Sequence, residues 1–248
     1  MISKKQTDRD WEWYGSRNPY YGVIAFDKFR GEDIPLKEKT EFFEQGKKYC
    51  AELIRTVEFF LKGNFSPSNG LDFGCGVGRT TLGLSDYCAN ITGVDISESM
   101  LKTAAKNFSE LSELPVRFIL TDSFLEDEAR YDFVHSFIVF QHIPVRDGYT
   151  LFNHILTKLE HGGVGALHFT FRNYSASRKS RFLMFLYHYI PFVYASRKLF
   201  GKPPVMQMNA YEIPKLLSVL ASHDCSPLCI LPTHHGCPGG ILLFRKTS

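Results

Sequence analysis

Three glycines at alternate positions, Gly74, Gly76 and Gly78, follow a short apolar run in Gly70–Arg79 (GLDFGCGVGR). A second apolar run, Thr92–Ser97 (TGVDIS), carries a carboxylate at Asp95. Glycines in such a turn let the backbone take positive φ and come within contact distance of a ligand that a Cβ would push away. A carboxylate at the tip of the next strand is placed to accept both hydroxyls of a ribose. The pair predicts a nucleoside cofactor. Two histidines are candidates to move a proton there. His142 follows a later apolar run directly, and His168 lies near the end of another. Imidazole is the side chain whose ordinary pKa suits it to general base work near neutral pH. His135, inside an apolar run, reads as structural, and His234 and His235 rank below His142 and His168.

Spacing narrows the cofactor. The dinucleotide fingerprint is G-x-G-x-x-G, but Arg79 stands where its third glycine would fall, and the glycines run G-x-G-x-G instead. Asp72, inside the lead strand, is awkward beside a pyrophosphate and suits a cationic ligand. The pattern D-x-G-C-G-x-G over Asp72–Gly78 resembles motif I of the class I S-adenosylmethionine (SAM) methyltransferases. Three further segments are similar to that family in the same order: Pro115–Ser123 (PVRFILTDS), Tyr131–Pro144 (YDFVHSFIVFQHIP) and Thr157–Phe171 (TKLEHGGVGALHFTF). The resemblance implies that the turn, with Asp72, Gly74, Cys75, Gly76 and Gly78, wraps the methionine end of SAM. It implies that Asp95 holds the ribose, that Asp122 lies beside the adenine amine, and that Ile96, Met100, Ser123 and Phe137 complete the cofactor contacts. It also places His142 facing the donor methyl. The product is S-adenosylhomocysteine (SAH), and no metal is expected.

These motifs need strands that end at one edge of a sheet. Continuous apolar strands separated by helix-length segments predict a parallel sheet buried on both faces. The expected fold class is α/β: a Rossmann-like, seven-stranded, mostly parallel sheet with helices on both faces, an N-terminal helical extension and an insertion after the fifth strand. Helices are predicted over Glu38–Lys62, Thr80–Asn90, Glu98–Phe108 (N-capped by Ser97) and Tyr211–Ser222. The third strand is predicted to end in Asp122, and Ser226–Pro232 and Gly240–Arg245 to form a closing antiparallel pair. One domain is expected over 1–248, divided into an extension (1–67), a SAM-binding core (68–171), an insertion (172–208) and a C-terminal part (209–248).

The extension opens on an aromatic-rich stretch holding Trp11, Trp13, Tyr14, Tyr20 and Tyr21. Two readings stand: a lid that excludes water and contacts the acceptor, or aromatics packed on the core. On the first, Tyr14, Tyr20, Tyr21 and, from the core, Gln141 are expected to touch substrate. Asn18-Pro19-Tyr20 is similar to the N-P-P-Y motif of amino-methyltransferases, but it has one proline and precedes the glycine turn. Where that motif belongs, Ser136–His142 reads SFIVFQH, which points away from nucleobase N-methylation. The insertion, Arg172–Pro204, sets seven basic residues around an apolar, aromatic middle, within a stretch from His161 to Tyr211 that has no Asp or Glu. It reads either as a substrate lid or dimer interface, or as a segment lying in an anionic membrane interface.

Composition sets the outer limits. A net charge of +3 in 248 residues does not imply nucleic acid, and none is expected as a partner. The first fifteen residues lack the apolar core of a signal peptide, so a cytoplasmic protein is expected, peripheral to the inner face of a membrane if the insertion docks there. The six cysteines form no C-x-x-C pair, and the group Cys225, Cys229, His234, His235, Cys237 matches no zinc-finger spacing. With its W-x-W-Y-G and V-F-Q-H-I-P segments the chain is similar to methyltransferases of bacterial surface-polysaccharide pathways. The expected function is O-methylation of a carbohydrate or polar small-molecule hydroxyl, on a free or lipid-linked acceptor, with a histidine base. A natural-product or lipid-headgroup methyltransferase, a non-catalytic SAM-binding subunit and a dehydrogenase are the alternatives. Acceptor and oligomeric state are not legible in the sequence.

Overall fold

The computed structural model of the chain describes residues 4–172, 202–235 and 237–247. Its centre is one seven-stranded sheet with strand order β3-β2-β1-β4-β5-β7-β6. The strands are β1 (Asn69–Phe73), β2 (Asn90–Asp95), β3 (Val116–Leu120), β4 (Tyr131–Ser136), β5 (Leu159–Thr170), β6 (Cys225–His234) and β7 (Pro238–Lys246). β1 to β5 are parallel, whereas β7 runs antiparallel to both β5 and β6. The expected α/β class, sheet and closing pair are present. The switch between β1 and β4 opens a crevice at the carboxyl ends of the strands, where α/β sheets bind ligands.

The helices are α1 (Lys4–Arg17), α2 (Pro19–Val23), α3 (Leu36–Leu61), α4 (Arg79–Leu84), α5 (Glu98–Leu111), α6 (Thr121–Glu126), α7 (Val145–Lys158) and α8 (Ile213–Ala221). α3, α5, α7 and α8 are amphipathic and bury their apolar stripes. α3 sets Leu53, Ile54 and Val57 against Phe133, Val164 and Leu243 on one face of the sheet. On the other face, Phe152 of α7 and Leu216 of α8 close over Phe140, Phe169 and Phe244. A third cluster joins Tyr14 and Tyr20 of the extension to Phe42, Met100 and Phe108.

Two expected boundaries are corrected. β3 stops at Leu120, and Thr121 begins α6, so Asp122 lies in a helical first turn rather than at a strand end. α4 is shorter than predicted: its last carbonyls, Thr81 and Leu84, accept from Ser85, Tyr87 and Cys88 in a turn that delivers the chain to β2. Of the insertion, 173–201 falls outside the described residues. Among the described residues no helix is long and apolar enough to cross a membrane.

Candidate functional site

The glycine turn is folded back on β2. Gly74 and Cys75 donate their N–H groups to the Val94 carbonyl at 2.7 and 3.0 Å, and Gly78 N–H reaches Cys75 O at 3.0 Å. Gly74 and Gly76 sit at φ +77° and +53°, in the region L side chains rarely adopt. Space is equally restrictive, since a Cβ on Gly74 would lie 2.2 Å from Val139 Cγ2 and one on Gly76 would lie 2.6 Å from Val23 Cγ2. Above this turn lies a cavity of about 260 Å³. Gly74, Gly76, Asp95, Ile96, Met100 and Phe137 line it from the core.

Asp95 is fixed by the protein on both oxygens. Oδ2 accepts from Gly76 N–H at 2.8 Å and Oδ1 from Ser97 N–H at 3.0 Å. Burial pushes its pKa up to about 6, against the pull of the backbone N–H groups of Ser97, Gly76 and Ile96. A carboxylate accepts more than one hydrogen bond on each oxygen, so Asp95 retains capacity for hydroxyl donors from the cavity.

Other expected cofactor residues lie elsewhere. Asp72 is buried behind the turn. Its Oδ2 accepts from Thr80 and Thr81 hydroxyls at 2.9 and 2.6 Å, and its Oδ1 lies 2.8 Å from His135 Nδ1. On its other side the His135 ring sets Nε2 3.0 Å from the Tyr49 hydroxyl. Asp72 therefore staples the two ends of the turn and does not line the cavity; Phe73, one residue on, does. Cys75 is buried, with burial raising its pKa well above that of a free thiol, and Gly78 N-caps α4. Asp122 and Ser123 are exposed, and the same helix presents Thr121 and Leu125, one turn apart on one face, to the cavity instead.

His142 lines the cavity. Its Nδ1 lies 2.7 Å from the Gln207 carbonyl, which can only accept, so Nδ1 carries the proton. Nε2 then accepts from the Gln141 amide at 3.1 Å. Burial pushes the pKa of His142 down to about 4, the Gln207 carbonyl opposing. The ring meets Trp11 edge-on with centroids 5.0 Å apart. His168 is not among the cavity's lining residues: its Nε2 pairs with the Thr233 hydroxyl at 2.8 Å, and Phe137, with ring centroids 5.4 Å away, does line the cavity.

The four expected substrate residues are not in the cavity wall. Tyr20 is buried and donates to Asn107 Oδ1 at 2.8 Å, and Tyr14 donates to Pro204 O at 2.7 Å. Tyr21 lies under the Arg30 guanidinium, 3.9 Å from its ring centroid. Gln141 is held by Thr170 and His142. The extension contributes Thr7, Asp8, Trp11, Gly22 and Val23 instead. The sequence also gave no sign of Ile138, a β-branched residue at φ +61° in the wall. Such strain is characteristic of functional sites.

A family model described as a methyltransferase domain matches residues 71–163, which span the turn, Asp95 and His142. Residues 71–163 are a methyltransferase domain. Over 117 residues (45% of this chain) the chain is 33% identical to phosphoethanolamine N-methyltransferase 2 of Caenorhabditis elegans. Over 76 residues (30% of this chain) it is 34% identical to a ubiquinone biosynthesis O-methyltransferase of Coxiella burnetii. These matches span 26% and 32% of the relatives' own lengths. The fold is similar to that of magnesium protoporphyrin IX methyltransferase from Synechocystis PCC 6803 with bound SAH, at a TM-score of 0.60 and 17% identity, covering 93% of this chain and 98% of that one. The methyltransferase domain thus supplies turn, acid and histidine, and the N-terminal helices close over it.

Proposed function

We propose that the protein is a SAM-dependent methyltransferase that methylates a hydroxyl of a carbohydrate or comparably polar small molecule. The observation that carries this is the shared cavity of the glycine turn, Asp95 and the tautomerically fixed His142. The residues fit SAM. Asp95 keeps acceptor capacity for the ribose hydroxyls, and the wall bears the carboxylates Asp8, Asp95 and Asp147, with no Lys or Arg among its described residues. Such a wall complements a cationic donor and an uncharged acceptor. When bound, SAM supplies a methyl group on a positively charged sulfur, which leaves as a neutral thioether. The protein's part is to align the acceptor oxygen with that carbon and to take its proton. His142 is suited to the second task. Its Nδ1–H is committed to Gln207, so Nε2 is the accepting atom once an acceptor hydroxyl displaces the Gln141 amide.

A second reading, methylation of an amine such as a lipid headgroup, is favoured by Asp8 and Asp147, which could hold an ammonium group. The insertion 172–204 is proposed to cover the acceptor side and to bring the cytoplasmic protein to an anionic membrane carrying lipid-linked acceptor; its basic, acid-free composition supports this. The test is SAH release from SAM with panels of sugars and of amines. Sugar-dependent release that collapses in His142→Ala is expected. Release with amines alone moves the assignment to N-methylation, and the absence of SAM binding overturns it.

A further inference from the structure

Glu12 projects from α1 onto the first turn of α5, the helix whose start forms the cofactor wall. Its Oε2 accepts from Ser97 Oγ at 2.7 Å and from Ser99 N–H at 3.2 Å, and its Oε1 accepts from the Ser99 hydroxyl. A carboxylate at this end of a helix is favoured by the unpaired N–H groups and the positive end of the dipole. Ser97 is the bridge inward. Its hydroxyl caps Met100 N–H at 3.1 Å, and its own N–H donates to Asp95 Oδ1 at 3.0 Å. The seat is close-packed as well: a Cβ on Gly15 would lie 2.4 Å from Ser97 Oγ and 3.1 Å from Met100 Cγ. The helices fastened this way roof the turn side of the cavity with Trp11, Gly22 and Val23.

We infer that Glu12 is a positioning residue that latches the N-terminal helices onto α5, coupling closure of the cavity to the placement of Asp95. This rests on the proposed SAM site and names a residue that the site itself does not contain. A ligand seated on the glycine turn lies beneath α1 and α2, so release of the latch would open a way out on that side. The same latch holds Ser97, and through Ser97 the carboxylate that meets the ribose.

The two tryptophans of the chain, Trp11 and Trp13, both lie in α1, so intrinsic fluorescence reports the position of this helix without a label. The experiment measures acrylamide quenching, SAH affinity by calorimetry and SAH dissociation by stopped flow, in the full chain. In the wild type, saturating SAH is expected to reduce quenching. Glu12→Ala is expected to raise quenching and to speed SAH dissociation at least about tenfold, the loss of hydrogen bonds to a charged group. Glu12→Gln, which keeps one acceptor oxygen, should recover part of the effect. Gly15→Ala should reproduce it without altering charge, and these two variants decide the matter if Glu12→Ala does not fold. SAH binding with dissociation and quenching unchanged in the variants overturns the latch alone. Absence of SAH binding by the wild type overturns the proposed cofactor and the latch with it.

Discussion

His142 and Gln207 lie 65 residues apart and are joined by a hydrogen bond of 2.7 Å from Nδ1–H to the backbone carbonyl. The side chain of the same Gln207 donates to Thr7 Oγ1 at 2.8 Å. His142, the segment of chain that orients it and the N-terminal helix beside it are therefore one network. The backbone carbonyl decides which imidazole nitrogen is basic, and burial decides that the ring stays neutral.

His142→Ala is expected to lower turnover roughly 10²–10⁴-fold, the range for a positioned general base, with SAH affinity close to that of the wild type. Steady-state kinetics paired with calorimetry checks this, and near-normal turnover would leave alignment alone to account for catalysis. With the His142 pKa near 4, kcat should hold between pH 7 and 5 instead of falling near 6.5.

Asp95→Ala should cost on the order of 2–4 kcal/mol of SAH binding, as two hydrogen bonds to a charged acceptor are lost. Calorimetry on the folded variant gives the number. Because the folded pKa is raised from 3.8 to about 6, the folded state binds more protons than the unfolded chain between those values. Stability therefore falls as pH rises through that window. Denaturant titrations at pH 4, 5 and 6 should show this contribution, and Asp95→Asn should remove it. SAH binding should strengthen over the same window as the carboxylate ionises.

His142 and His168 act in the opposite sense. Burial lowers their pKa values to about 4 and about 3, so the unfolded chain takes up their protons first as pH falls below 6.5. Stability is lost progressively from there down to the folded values. His168→Asn should reduce that loss in urea unfolding measured between pH 6.5 and 4. An unchanged slope would mean that His168 titrates normally.

Asp72→Ala should destabilise the protein by about 3–5 kcal/mol, because it strands a buried cluster of His135, Thr80 and Thr81 donors. Urea unfolding measures it. Loss of SAH binding with stability intact would instead return Asp72 to the ligand.

Replacing Arg178, Lys179 and Arg181 by Glu should weaken sedimentation with anionic vesicles by about 1 kcal/mol per basic residue removed. SAH affinity should be unaffected. A wild type that does not sediment at low salt would exclude membrane docking.

The amino-acid sequence alone determined the sheet, the glycine turn and the acid that ends β2, because strand periodicity and positive-φ glycines are local constraints written within a few residues. It also placed His142 and Phe137 at the carboxyl edge through their position after β4. Which side of β1 faces the ligand was not local. Successive strand side chains point to opposite sides, so Asp72 met Thr80, Thr81 and His135 while Phe73 met the cavity. The shift from Asp122 to Thr121 and Leu125 followed from β3 ending at Leu120 and α6 starting at Thr121, which the motif alone did not give. Tertiary structure alone decided the roles of the extension, turning Tyr14 and Tyr20 into packing, placing Thr7 and Trp11 in the cavity wall and seating Glu12 on the first turn of α5. Those contacts join groups 85 to 200 residues apart, and no spacing rule within a helix or strand reaches that far.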